Sequence, residues 1–319
     1  MRRRHARKQL DAAPDPERPG SPSSHDLMPT PPAGSQEDVG IPTLERPLYL
    51  LTFFTAKDPV WTLSGLSRAS GLPSASCLRA IRVLEKYQFL RRDHMQYSLG
   101  SQLVRLSANA MASSPSRRLA LPHLEHLHRL TTRAVSWSVL EGAEAFTLEV
   151  VASPERPARR VQPGTPVDLS SGATSRVLLA FAPQGVRRSV LERAWQQRPD
   201  TRATGEMLDG LARKAWLALD LREAPTDLCD VAAPVFQGDG SLVAALGMER
   251  PWRPVPSRAV LEQELSLLNQ TAQRISRDLG YTREWQGDPT FFVQVMETLK
   301  VVSFREDAAV GSDLINYPV

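Results

Sequence analysis

The stretch from Trp61 to Gly100, WTLSGLSRASGLPSASCLRAIRVLEKYQFLRRDHMQYSLG, leaves little freedom in how it can fold. Leu63, Leu66 and Ala69 recur at helical spacing behind Thr62 and Ser64, either of which suits an N-cap, and Gly71 supplies the left-handed residue that ends such a helix. Leu72 and Pro73 make the turn, Ser74 is read as the cap of the next helix, and Leu78, Ile81 and Leu84 set that helix's apolar stripe. Ser76, Arg79, Arg82 and Lys86 point away from the stripe. Two short helices joined by a Gly-containing turn form a helix-turn-helix. Phe89-Leu90-Arg91-Arg92-Asp93 and Gln96-Tyr97-Ser98-Leu99 then read as two short strands around Asp93-His94-Met95, the hairpin of a winged helix. Upstream, Leu44, Leu48 and Leu51 with Leu50, Phe53 and Phe54 predict a first helix from Thr43 to about Ala56, broken by Lys57, Asp58 and Pro59.

The charge in this segment points to its partner. Arg68, Arg79, Arg82, Lys86, Arg91 and Arg92 are its bases, and Glu85 is the only acid between Arg68 and Asp93. Cations neutralise phosphates and release counterions, and a helix fits the major groove with its N-terminal side chains on base edges. The expected partner is double-stranded DNA, with Ser74, Ser76, Arg79, Arg82 and Lys86 on bases or phosphates and Arg91 and Arg92 on the backbone. The net charge of +4 permits an anionic partner without demanding one.

With 319 residues, 41% of them hydrophobic, the chain has material for roughly two domains. Residues 1–41 are rich in proline and poor in anything that could be buried, so they are read as a disordered arm, whose Arg2, Arg3, Arg4, Arg7 and Lys8 could support DNA binding. No run reaches the roughly 18 uncharged apolar residues of a membrane helix, and a cytoplasmic protein without a membrane partner is expected. Cys77 and Cys229 have no thiol or spaced histidine nearby, so neither a disulfide nor a zinc module is expected. His123, His126 and His128 share a predicted helix, but His126 and His128 lie about 200° apart on it, and no metal site is read there. Phosphate-loop, nucleophile-elbow, H-E-x-x-H and dinucleotide motifs are absent from the sequence; neither an enzyme nor a cofactor is expected.

Residues 102–118 read as a linker helix and residues 119–280 as a second domain. Val135 to Leu140 and Ala145 to Val151 alternate around Glu141-Gly142, and Val231 to Phe236 and Leu242 to Leu246 flank Gln237-Gly238-Asp239-Gly240. Helical stretches at about 173–196, 206–219 and 256–279 complete an α+β domain, which on a winged helix suggests a sensor.

Residues Trp61 to Gly100 resemble the DNA-binding domain of the IclR family of bacterial transcription regulators. The resemblance rests on Gly71-Leu72-Pro73, Ser74 and Ser76, Arg79, Phe89-Leu90 and Tyr97-Ser98-Leu99-Gly100. Gln88 departs from it, standing where the family usually has glycine at the end of the recognition helix; a left-handed residue there would cost roughly 1 kcal/mol. Two further stretches, Pro166 to Ala180 and Val231 to Phe236 with Asp239-Gly240 and Ala244-Ala245, resemble the family's GAF-like ligand-binding domain, so that the likeness covers residues 43–280, with the winged helix over 43–101.

The resemblance implies a homodimer or tetramer whose small-molecule effector lies between a small-residue turn and the second hairpin. On this chain that places Gly172 and Ala173 on the turn, Asp220 on one wall, Asp230 before Ala232-Ala233-Pro234, and Gly247 and Glu249 at the end of the last strand. A glycine before a helix N-terminus favours an anion, hence a carboxylate-bearing effector. Asp230 and Glu249 replace residues that are commonly small and neutral, and they would repel a carboxylate unless Arg159, Arg160 or Arg176 answers them. Arg176-Val-Leu-Leu-Ala resembles the branch that regulates aromatic-acid catabolism. A constitutive regulator with a degenerate pocket is the alternative. Residues 281–319 form a C-terminal extension resembling the opening of another IclR regulator, either the remnant of a tandem arrangement or an amphipathic helix at a subunit interface.

Overall fold

The computed structural model describes residues 44–152, 162–169, 172–197, 202–221, 228–251 and 256–299. The N-terminal arm, Arg159 and Arg160 lie outside the described residues. The chain divides into two units, residues 1–107 and 108–319.

In the first unit the order is α1 (Glu45–Leu51), β1 (Val60–Thr62), α2 (Leu63–Ser70), α3 (Ser74–Lys86), β2 (Leu90–Asp93) and β3 (Gln96–Leu99), with an antiparallel sheet ordered β1-β3-β2. Leu50, Phe53, Leu66, Cys77, Ile81, Leu84 and Tyr97 fill its core. Helix α1 is shorter than its periodicity predicts. Phe53 and Phe54 are buried from a turn beyond it, where the indole of Trp61 donates to the Phe53 carbonyl at 2.9 Å. Strand β1 was too short to show a period, and it is fixed instead by pairing, Trp61 opposite Tyr97.

Thr62 is the cap of α2, its hydroxyl accepting from the Gly65 amide at 3.1 Å, and Gly71 takes φ +69° as the turn requires. Ser74 does not cap α3, contrary to the sequence reading. Pro73 occupies the cap position in extended conformation, its carbonyl accepting from the Ser76 and Cys77 amides, and Ser74 is the first helical residue with its hydroxyl 3.1 Å from that of Ser67. The proline ring fixes φ in that extended region and so sets the cap without a side-chain acceptor.

At the other end of α3, Gln88 is left-handed at φ +61°. The amide of Gln88 bonds the Glu85 carbonyl and that of Phe89 bonds the Leu84 carbonyl at 2.8 Å, the Schellman pattern usually closed by glycine. Gly100 passes directly over this turn. A Cβ there would lie 2.1 Å from the Gln88 carbonyl oxygen, so the wing returns to the helix only through a glycine.

Two helices follow, α4 (Ser101–Ser113) and α5 (Pro115–Thr131), parted at Ser114, which caps α5, so the linker of residues 102–118 takes in α4 and the first turn of α5. The second unit then contains β4 (Ala134–Glu141), β5 (Glu144–Val151), α6 (Ala173–Ala180), α7 (Gln184–Gln197), α8 (Arg202–Ala215), β6 (Ala218–Leu221), β7 (Leu228–Phe236), β8 (Leu242–Pro251), α9 (Arg258–Asp278) and α10 (Pro289–Thr298). Its antiparallel sheet runs β5-β4-β8-β7-β6. One face, with Val135, Trp137, Val231, Leu246 and Met248, packs against Leu124 and Leu127 of α5 and Leu261, Leu265 and Leu268 of α9. The opposite face carries Ala218, Ala232 and Ala245 beneath Ala173, Val177 and Leu178 of α6.

The helix expected at 173–196 is interrupted around Pro183, and the one expected to reach residue 219 stops at Ala215, where Trp216 turns the chain at φ +54° into β6. Phe181, Phe236, Tyr281 and Trp285 hold that tryptophan in an aromatic cluster. Residues 281–299 are not a separate extension: Phe292, Val293 and Met296 of α10 are buried in the same core as α5 and α9.

Candidate functional site

Helix α3 divides cleanly into two faces. Ser76, Cys77, Ala80, Ile81 and Leu84 are buried, while Ala75, Arg79, Arg82, Val83 and Lys86 are exposed. Ser76 therefore leaves the predicted contact set. It lies one helical step from the apolar stripe, on the buried side, and its hydroxyl accepts from Arg79 Nη2 at 3.3 Å. Ser74 is exposed at the start of α3, and Arg79, Arg82 and Lys86 stand on its solvent face. In the wing, Arg91 donates from Nε to the Ser98 hydroxyl at 2.9 Å, and Arg92 donates to the His94 carbonyl at 2.7 Å while its guanidinium lies over the Tyr97 ring. These contacts restrain both arginines yet leave them exposed. His94, left-handed at φ +51°, and Met95, 72% exposed, form the wing tip. The sequence reading treated them only as a turn; a methionine at a hairpin tip was the available signal.

In the second unit four of the residues predicted for an effector, Asp220, Asp230, Gly247 and Glu249, lie on one sheet face. Asp220 stands opposite Asp230, and Asp230 opposite Glu249, so three half-buried carboxylates lie abreast across β6, β7 and β8. Gly247 follows two residues before Glu249 on the same face, opposite Ala232 and Ser136. A Cβ at Gly247 would fall 2.5 Å from Ser136 Oγ and 3.1 Å from Thr174 Oγ1, which explains the glycine by close packing of α6, β4 and β8. Gly172 is the cap residue of α6 at φ +102°, and Ala173 is its first helical residue, wholly buried.

Arg176, one of the three arginines expected to answer the carboxylates, pairs with a different acid. Its Nη1 lies 3.5 Å from Asp209 Oδ1 on α8. Burial raises the Asp209 carboxyl above the usual carboxylate range, against the opposing pull of Arg176, Arg187 and Arg213. Sequence reasoning missed two other pairings. Glu264 is clamped between Arg133 and Arg250 at 2.9 and 2.6 Å, and Arg117 pairs with Glu149. Their partners lie far apart in the sequence, where no spacing rule reaches them. Cys229 lies opposite Arg250 in the sheet, and burial pushes its thiol up to about 12.

The first unit defines a class: a winged helix-turn-helix protein with a cationic recognition face, followed in the chain by an α+β unit. Residues 43–94 match the IclR helix-turn-helix domain, and residues 108–277 match the domain described as bacterial transcriptional regulator IclR C-terminal. The chain belongs to the IclR family of bacterial transcription regulators. It is 27% identical to the HTH-type transcriptional regulator RhmR of Escherichia coli over 219 residues, 66% of this chain and 84% of that protein. It is 26% identical to the glycerol operon regulatory protein of Streptomyces griseus over 253 residues, 76% of this chain and 98% of that one. A solved IclR family regulator from Brucella abortus aligns with TM-score 0.64 at 22% identity, over 77% of this chain and 96% of that one. An IclR homologue from Microbacterium hydrocarbonoxydans, solved with 4-hydroxybenzoate, aligns at 0.62 and 23%, over 75% and 99%. The protein is a DNA-binding regulator of the IclR type.

Proposed function

We propose that this regulator reads its operator with α3 in the major groove and the β2–β3 wing on the adjoining backbone, as a homodimer or tetramer in the cytoplasm, without catalytic activity. The observation that carries the reading is the exposed face of α3, where Arg79, Arg82 and Lys86 stand together over a buried apolar stripe. Symmetric copies would set two such helices on related half-sites. Arg91 and Arg92, restrained but exposed, serve as backbone contacts.

The effector, a small carboxylate-bearing metabolite, sits between the N-terminus of α6 at Gly172-Ala173 and the sheet face bearing Asp220, Asp230, Gly247 and Glu249. Its carboxylate meets the helix end and its hydroxyl or amino donors meet the three acids, an arrangement that keeps like charges apart. A second reading is a regulator that acts constitutively through a degenerate pocket. Thermal denaturation against a panel of aromatic and hydroxylated carboxylates separates them, since a bound effector raises the melting temperature by mass action.

The test of the main reading is an electrophoretic shift of the protein on the intergenic DNA beside its own gene and on random-sequence duplexes, over a salt series. Selective, salt-dependent retardation is expected, weakened in Arg79→Ala. Unchanged affinity and salt slope in that variant would remove Arg79 from the interface.

A further inference from the structure

The exposed face of α3 is not uniformly cationic. Val83 is 48% exposed there and contributes nothing to the buried core of the first unit. It lies one turn after Arg79, which lies one turn after Ala75, and Arg82 and Lys86 stand to either side in sequence. Arg79 is itself held by Ser76, one turn back on the helix. An apolar side chain among three cations suits neither a phosphate nor an apolar protein partner. It suits a polyanion that carries an apolar group at its surface. Duplex DNA presents one such group in the major groove, the C5-methyl of thymine.

We propose that Val83 is a specificity-determining residue that packs on a thymine methyl in the operator. The proposal rests on α3 being the recognition helix. Four residues of helix advance about 6 Å, so the thymine falls within about two base pairs of the base that Arg79 contacts. Ser76 acts as a positioning residue, fixing the guanidinium from which that spacing is measured.

The test begins by selecting binding duplexes from a random library with the full chain. Each thymine of the selected half-site is then replaced by deoxyuridine, which keeps the base pair and removes only the methyl. For the wild type, one thymine per half-site should lose about fourfold in affinity on replacement, the worth of one methyl withdrawn from water. Val83→Ala should bind the thymine site about fourfold more weakly and bind the thymine and deoxyuridine sites alike; its side chain is half exposed, and a melting curve checks that it folds. Wild-type affinity indifferent to every deoxyuridine within two base pairs of the Arg79-dependent position overturns the proposal. So does full discrimination retained by Val83→Ala. Failure of the underlying reading looks different: no sequence is enriched, or Arg79→Ala selects the same site with the same affinity.

Discussion

Gln88 should be a place where this protein gives up stability, and the amount can be worked out. Its φ of +61° sits in the left-handed region, and its side chain is exposed, so nothing it touches offsets the strain. For an L-residue with a side chain, that conformation costs about 1–2 kcal/mol. A glycine would remove the cost but lose about 0.5–1 kcal/mol through its freer unfolded chain. Gln88→Gly should therefore stabilise the first unit by about 0.5–1 kcal/mol, raising its transition by several degrees at roughly 4–8 °C per kcal/mol in a domain of this size. Gln88→Ala is the control, since it removes the same exposed side chain and keeps the strain. Calorimetry of the full chain measures the shift, and hydrogen exchange of the β2 and β3 amides assigns it to this unit. Operator affinity should not change. If the glycine variant is no more stable than the alanine variant, the strain argument is wrong.

Phe292, 1% exposed on α10, should cost about 3–5 kcal/mol when changed to Ala, read as a lower midpoint of urea unfolding for the second unit; an unchanged midpoint would mean α10 is an appendage. Asp209 binds its proton more tightly in the native protein than in the unfolded chain, because burial raises its carboxyl. The native state then holds more protons between the ordinary value near 3.8 and the raised one, so the group's contribution to stability falls as pH rises through that window. The stability of wild type minus that of Asp209→Asn should decline across it, and a flat difference refutes the shift. Cys77 and Cys229 are both buried, and with its thiol near 12 Cys229 is roughly one part in ten thousand thiolate at pH 8. Neither should react with a disulfide reagent until the protein unfolds; prompt labelling of native protein would contradict the burial.

The first unit was legible almost residue by residue because its signals are local. Gly71, Gln88 and the wing strands are punctuation, readable within a few residues, and each stands where the spacing put it. What failed there also has a local cause. Phe53 and Phe54 recur at helical spacing, yet a turn beyond the helix buries them just as well. Serine is a good cap, which is why the sequence points to Ser74, whereas Pro73 already fixes the backbone. Strand β1 of the first unit has three residues, too few to display a period, and the start of β6 in the second lies under the helical spacing that runs to residue 219; pairing with a neighbour is what makes each a strand.

The sites divide along the same line. Arg79, Arg82 and Lys86 could be placed from the stripe of Leu78, Ile81 and Leu84 because helix geometry turns sequence position into angle, and Ser76 was misplaced because it sits at the border between the two faces. The carboxylates Asp220, Asp230 and Glu249 belong to three strands, and only register brings them abreast: a slip of one residue in either pairing would send one of them to the opposite face, among Val231 and Met248. That register is held in turn by the apolar face beneath, which would have to expose its valines and leucines to shift. The hydrophobic core under α5 and α9 thus determines which charges stand abreast on the opposite face, beside the alanines that pack under α6.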